Sequence, residues 1–270
     1  MLKIFGFLQL LLYLVTFIAY LADIKPEKGI LFGIKRTLLF VTLFSHLLFL
    51  FYIFSSFKHF PITDKTELFT VVAFGVAFIY FLLELLTDIY GTGFFILFFS
   101  VIFQFFSVVF IGKSEVLPSS EINAYIGWHI VFALFGYVGF TISAAYGSMY
   151  AVLASKLKRR RFDALFERLP NLEILLKLSI TSFYVGFVML TFALILGSIW
   201  LPKIFPDTSY TDPKVILTWL VWIVYAVGFV LTVTNRVYGK KFVYYMVFSL
   251  GILLITGALT SVLTNSFHSF

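Results

Sequence analysis

Long apolar runs separated by short polar segments make up most of the chain. A helix that crosses a membrane needs about 20 consecutive apolar residues, and the runs have about this length. None of them alternates polar and apolar residues with a period of two, which excludes a transmembrane barrel. The pattern therefore predicts eight spanning helices, at roughly 2 to 22, 36 to 56, 68 to 87, 93 to 112, 124 to 155, 175 to 200, 215 to 235 and 241 to 264.

The composition leads to the same fold class. Of the 270 residues, 61% are hydrophobic and 12% are charged, whereas soluble domains contain about 25% charged residues. We therefore predict an all-α integral membrane protein, a polytopic bundle of about eight transmembrane helices that forms a single domain over 1–270. The first run, from Leu2 to Ala22, has no short apolar core and no small-residue cleavage site, so we interpret it as a retained span.

Basic residues lie mainly in the short segments between the apolar runs, and the formal net charge is +7. The strongest cluster occupies 156–161, and two smaller clusters at 25–36 and 236–241 fall on the same side of the membrane. Cytoplasmic loops are enriched in Lys and Arg, so this distribution predicts that both termini are extracytoplasmic. A topology signal of this kind gives no reason to expect nucleic-acid binding.

The longest polar interruption in the second half of the chain runs from Gly197 to Lys214. The predicted topology places this loop outside the membrane, together with His129 near the outer end of the fifth helix and His268 beyond the eighth. The chain contains no cysteine, so any metal ligand must come from His, Tyr, Met or carboxylate side chains. Trp128 and the phenylalanines around His268 are flat apolar neighbours. Two such histidines beside one aromatic loop favour a haem site.

Other residues of the loop suit the same flat, anionic ligand. The flat haem ring could pack against Trp200, Phe205 and Tyr210. Its propionate groups could pair with the positive charges of Lys203 and Lys214. The same residues would also be explained as aromatic anchors and snorkelling lysines at the membrane interface. The residues alone leave both interpretations open.

Three polar side chains interrupt apolar runs. His46 lies midway along the second helix, where a neutral imidazole could bind iron or could simply hydrogen-bond a neighbouring helix. Glu84 and Gln104 could pair with each other or with another polar group, and a proton pathway is a further alternative. The residues leave these alternatives open. Nucleotide-binding loops and nucleophile elbows are absent from the sequence, so it gives no sign of ATP-driven transport or hydrolysis.

The stretch that begins at Gly197 also resembles a known motif. A tryptophan-rich extracytoplasmic pattern, approximately GxxWAxxxWGxYWxWDPKE, matches Gly197, Trp200 and the sequence Asp212-Pro213-Lys214 when laid on 197–215 without a gap. The segments GWHIVFALFGY, FPITDKTELF and the terminal FHSF extend the similarity over most of the chain. In these features the sequence resembles the cytochrome c assembly superfamily of haem-handling membrane proteins, of the CcsA and CcmC type, and within it the HemX-like branch.

This resemblance implies a site and a set of partners. His129 and His268 would be the paired axial ligands of a non-covalent, b-type haem, and Asp212, Pro213 and Lys214 would shape the WWD-like outer loop 197–215. His46 could serve a second haem site within the bilayer. Where the family has further tryptophans and a central glycine, this chain has Phe205, Ser209, Thr211 and Pro206. The expected partners are a membrane subunit, apocytochrome c and the lipid bilayer, in the bacterial inner membrane.

The function implied is that of a haem-binding membrane protein that transports or presents haem at the extracytoplasmic face for c-type cytochrome biogenesis. Such a chain would not be an autonomous enzyme but could belong to a synthase complex that attaches haem. The alternative is a regulatory or scaffolding membrane subunit in haem metabolism that binds no haem.

Overall fold

The computed structural model describes residues 2–22, 30–57, 61–62, 64–86, 91–111, 124–204 and 212–262. Over these ranges the regular secondary structure is entirely helical. The helices are α1 (Leu2–Ala22), α2 (Ile30–Phe57), α3 (Lys65–Leu86), α4 (Gly93–Phe110), α5 (Ala124–Lys158), α6 (Ala164–Arg168), α7 (Leu172–Ile204), α8 (Pro213–Val233) and α9 (Lys240–Val262).

All of the described helices except the short α6 are long and apolar enough to cross a membrane, which gives eight candidate spans. This confirms the predicted all-α fold and the eight apolar runs, whose ends shift by only a few residues. The 32-residue span from Gly127 to Lys158 is longer than a bilayer requires, as expected for α5.

The polar stretch expected to form a loop from Gly197 is shorter than predicted. Helix α7 continues to Ile204, because Ile199, Trp200 and Leu201 extend its apolar pattern and a helix tolerates Gly197 at a cost of about 1 kcal/mol. Helix α8 begins at Pro213.

The Asp212-Pro213 pair explains where α8 starts. The carbonyl oxygen of Asp212 accepts the Ile216 amide at 3.0 Å, which makes Asp212 the residue that caps the helix N-terminus. Pro213 then takes the first helical position, where an amide N–H would have no partner inside the helix.

The basic segment after α5 forms a compact helix end. Arg160 has a positive φ of 51°, and the amide of Arg161 bonds the carbonyl of Lys156 at 3.0 Å, as in a Schellman cap. Asp163 caps α6 by accepting the Phe166 amide at 3.1 Å and pairs with the Lys156 ammonium group. The hydrogen bond from Lys156 lowers the pKa of the exposed Asp163 carboxyl.

The helices group into two compact units. Unit 1 comprises Met1–Lys113 and Met149–Lys177, and unit 2 comprises Ser114–Ser148 and Leu178–Phe270. Unit 1 contains α1 to α4, whose interior contains many buried polar side chains. Unit 2 contains the first part of α5, most of α7, and all of α8 and α9, and it includes the His129 site.

Within unit 2, the backbones of α5 and α7 lie in close contact. A Cβ atom added to Gly139 would lie 2.7 Å from the Cα of Gly186, so the two helices could not approach this closely with larger residues. Deeper in the pair, Ser143 and Ser179 exchange hydrogen bonds between the same two helices. Small residues allow this packing in membranes, where helices gain little hydrophobic energy from associating. The α5–α7 pair is therefore the frame on which His129 lies.

Candidate functional site

His129 projects from α5 onto α7 and is half-buried. Its Nδ1 atom lies 2.7 Å from the backbone carbonyl oxygen of Ala193. A carbonyl oxygen can only accept a hydrogen bond, so Nδ1 must be the donor and must carry a proton. The bond to α7 therefore selects one of the two neutral tautomers of the ring.

The tautomer leaves the second ring nitrogen available. In a neutral imidazole with its proton on Nδ1, Nε2 has a free lone pair. Across the ranges that the structure describes, Nε2 of His129 forms no hydrogen bond. Histidines that bind metal ions commonly donate the other N–H to a carbonyl or carboxylate, which orients the ring and increases its basicity. By this criterion, His129 fits a histidine that could bind haem iron through Nε2.

Gly197 lies directly against the ring. A Cβ atom at this position would be 2.8 Å from Cε1 and 2.9 Å from Nδ1 of His129, closer than real Cβ atoms approach. The absence of a side chain at Gly197 thus makes room for the imidazole beside Ala193. The motif match included this glycine but gave it no role. Its role could have been inferred from the two small residues Ala193 and Gly197, which lie four positions apart and so share one face of α7.

Aromatic rings line α5 and α7 next to His129. Trp128, which is 58% exposed, contacts Phe132 with ring centroids 5.9 Å apart. Phe132 in turn contacts Phe192, the neighbour of Ala193, at 5.7 Å. We name Trp128, Phe132 and Phe192 the aromatic ledge. Sequence reasoning found Trp128 but missed the two phenylalanines, although the spacing of four residues between Trp128 and Phe132 places both rings on one face of α5.

The tryptophans of the chain lie on the helices of unit 2. Trp200 is half-buried on the last turn of α7, about 4.5 Å along the helix axis from Gly197. On α8, Trp222 donates its indole N–H to Thr191 of α7 at 3.0 Å and contacts the ring of Trp219 at 5.8 Å. All four tryptophans of the chain therefore belong to unit 2.

The structure describes only some of the remaining predicted site residues. Asp212 caps α8, as described above, and the backbones of Lys203 and Lys214 belong to the ends of α7 and α8. Phe205, Tyr210 and His268 lie outside the described residues, as does the terminal segment that follows α9. The pairing of His129 with His268 therefore remains a prediction.

His46, the third candidate ligand, has a hydrogen-bonding partner on each ring nitrogen. Its Nδ1 lies 2.8 Å from the hydroxyl of Tyr13, and its Nε2 lies 3.0 Å from Oγ1 of Thr70. Thr70 donates its only hydroxyl proton to Oε1 of Gln104 at 2.7 Å, so it must accept from the Nε2–H of His46. Gln104 Nε2 lies 3.4 Å from the carbonyl oxygen of Gly6. This network of five residues joins all four helices of α1 to α4.

Glu84 and Gln104 do not form a pair with each other. Glu84 accepts a hydrogen bond of 2.5 Å from the hydroxyl of Tyr20, and Arg36 donates to the Glu84 backbone carbonyl at 2.7 Å. The ammonium group of Lys35 lies 5.0 Å from the centroid of the Tyr20 ring. Each of the two polar residues thus has its own partner, one of the alternatives that the sequence left open.

Comparison with known proteins gives the geometry a context. The model of the family described as Cytochrome C assembly protein matches residues 1–268. Protein HemX of Brevibacillus brevis is 33% identical over 98 residues, which are 36% of this chain and 36% of that protein, so the alignment spans about a third of the length of each. No solved structure matches the chain. The chain belongs to the cytochrome c assembly protein family and is a multi-pass integral membrane protein with a role in c-type cytochrome biogenesis.

Proposed function

We propose that this protein binds haem non-covalently at the end of unit 2 where α7 is followed by α8, and that it transports or presents haem at the extracytoplasmic face. The observation that supports the proposal is the state of His129. Its Nδ1–H is bound to Ala193, while its Nε2 keeps a lone pair for iron. The same arrangement is typical of histidine ligands in metalloproteins.

Several side chains have roles in this proposal. Nε2 of His129 would bind the haem iron, and His268, from the segment after α9, would be the second histidine ligand. The aromatic ledge and Trp200 offer flat apolar surfaces to the porphyrin. Together with Phe205 and Tyr210, these rings would replace the tryptophans that the motif has in related proteins. Lys203 and Lys214 would neutralise the charge of the haem propionates. Asp212 fixes the start of α8 and thereby the end of the intervening segment.

Covalent attachment of haem to a cytochrome would require groups that partner proteins supply. Haem, when bound, would supply an iron centre, and His129 and His268 would hold that iron and limit its access to other ligands. Because the chain has no cysteine, the thiols that attach haem must come from an apocytochrome c. We therefore propose a membrane partner subunit that receives the haem, and a place for this chain within a synthase complex, in the bacterial inner membrane.

Two observations favour a second candidate function. Three positions at which related loops carry tryptophan are Phe205, Ser209 and Thr211 in this chain, and both ring nitrogens of His46 are engaged by protein groups. A regulatory or scaffolding subunit that binds a partner without binding haem would need neither a complete aromatic platform nor a free second imidazole. Haem-binding measurements distinguish the two functions.

The test is the visible spectrum of the purified protein reconstituted with haem in detergent. We expect a low-spin Soret band that weakens in His129→Gln and in His268→Gln, and that is lost in the double variant. His59→Gln, which removes a histidine that the proposal does not assign to iron, is the matched control and should keep the band. Full retention of haem by the double variant would exclude ligation by these two histidines. Failure of the unmodified protein to take up haem would favour the scaffold.

His46 has a separate place in the proposal. A bond from His46 to iron would require the ring to give up either Tyr13 or Thr70. A second haem at this position would appear as two haems per chain in the reconstituted protein, and as one in His46→Gln. A stoichiometry of one in both proteins assigns His46 to the hydrogen-bond network alone.

A further inference from the structure

Gly197 and Ala193 form a notch on α7 that receives the imidazole of His129. In an α-helix the carbonyl of one residue points toward the residue four positions later, so the side chain at 197 controls access to the carbonyl of Ala193. The structure has hydrogen at that position instead of a side chain, and the ring reaches the carbonyl at 2.7 Å.

A methyl group at 197 could not share this space with the ring. It would lie 2.8 Å from Cε1 and 2.9 Å from Nδ1, which are atoms of a rigid ring and not the end of a flexible chain. The ring would have to move away from α7, and the hydrogen bond to Ala193 would be lost. Without that bond the proton would no longer be confined to Nδ1, because both tautomers would have similar energies.

We infer that Gly197 is a positioning residue, which fixes the tautomer and direction of His129 by admitting its ring to the Ala193 carbonyl. The inference rests on the proposed function, because the Nδ1–H tautomer matters only if Nε2 of His129 binds iron. The hydrogen-bonded geometry itself does not depend on haem.

The chain offers a matched control for the substitution. Gly127 lies on the same helix as His129, two residues before it, and a Cβ atom there would meet nothing within 4 Å. Alanine favours a helix over glycine by up to about 1 kcal/mol at an open position. Gly127→Ala should therefore leave the ring and the stability of the protein intact, while Gly197→Ala displaces the ring.

The first experiment is made without haem. In nitrogen-15 NMR of the histidine-labelled protein in detergent, the signals of His129 can be assigned by their loss in His129→Gln, since the chain has only four histidines. We expect the Nδ1–H tautomer for His129 in the unmodified protein and in Gly127→Ala, and a mixture in Gly197→Ala. A mixture in the unmodified protein, or an unchanged tautomer in Gly197→Ala, overturns the inference.

The second experiment adds haem. We expect Gly197→Ala to bind haem about 10–100-fold more weakly, the usual effect of losing an outer partner of a ligand, and to shift from a low-spin to a high-spin spectrum. Imidazole added to the buffer should restore the low-spin band while the haem stays with the protein during gel filtration. Free haem also turns low-spin in imidazole, but a misfolded protein would not retain it through the column. A low-spin spectrum in Gly197→Ala without imidazole overturns the inference. A fixed tautomer in a protein that takes up no haem supports the positioning and refutes the proposed function.

Discussion

His46 in unit 1 and His129 in unit 2 are both histidines of membrane-spanning helices, but their ring nitrogens have different partners. The imidazole of His46 is fully buried between a tyrosine and a threonine hydroxyl, and each nitrogen has a side chain opposite it. The imidazole of His129 is bound through one nitrogen to a backbone carbonyl, and the other nitrogen makes no hydrogen bond within the described part of the chain.

The difference shows what decides between a structural and a ligating histidine. Both residues lie in an apolar helix, so this position does not separate them. The number of ring nitrogens that the protein already engages does separate them, because a nitrogen that accepts or donates a hydrogen bond must lose that bond before it can bind iron. On this basis unit 1 uses its histidine to join helices, and unit 2 keeps its histidine available.

Haem affinity gives the largest expected difference between the two histidines. We expect His129→Gln to weaken haem binding by more than about tenfold, equivalent to about 1.4 kcal/mol of binding free energy, and His46→Gln to change it by less than about twofold. Titration of the folded apoproteins with haem, followed at the Soret band, measures both values. A larger loss of affinity in His46→Gln would reverse the assignment of roles.

Stability of the protein without haem should show the opposite ranking. Thr70→Val removes the acceptor of the His46 Nε2–H and the donor to Gln104, so buried polar groups lose their partners at a cost of about 1–3 kcal/mol. Thr141→Val is the matched control, because among the described residues the buried Thr141 hydroxyl bonds only the Tyr137 carbonyl of its own helix. Thermal unfolding in detergent compares the two variants with His129→Gln, for which little change is expected.

Equal unfolding temperatures for Thr70→Val and Thr141→Val would contradict the role of the network in joining α1 to α4. A second substitution makes the comparison quantitative. Tyr13→Phe removes the other partner of His46, and the double variant should lose less stability than the sum of the two single variants, since both act on one network.

The sequence was sufficient for the spans, and it left the side-chain partners open. Apolar run length depends on local composition, so the eight helices could be located from the residues alone. The partners of His46 lie 33 and 24 positions away along the chain, and Gln104 lies 98 positions from Gly6. Such pairings depend on how each helix is rotated about its axis, which apolar runs without a polar face do not reveal.

The site around His129 was also only partly predictable, because some of its features are local in sequence and others depend on contacts between helices. His129 and Trp128 could be identified as candidates from the residue types beside an apolar run. The notch of Ala193 and Gly197 could not, because its function depends on the close approach of α5 and α7, which Gly139 and Gly186 set about two to three turns away along the helices. The loop boundary was misplaced because the polar interruption was taken to begin at Gly197, whereas the apolar residues after Ser198 continue the helix to Ile204.

Loss of the polar contact between α7 and α8 should have the smallest effect on stability. This prediction extends the comparison to the rest of unit 2. Thr191→Val removes the acceptor of the Trp222 indole N–H, which lies at 3.0 Å in a half-buried position. Hydrogen bonds between membrane helices contribute about 0.6 kcal/mol on average, and partial exposure gives the indole other partners. We expect a fall in unfolding free energy of about this size, clearly below that of Thr70→Val, together with a small change in tryptophan emission. A loss as large as that of Thr70→Val would mean that unit 2, like unit 1, depends on buried polar pairs, and the contrast between the two histidines would then concern the site alone.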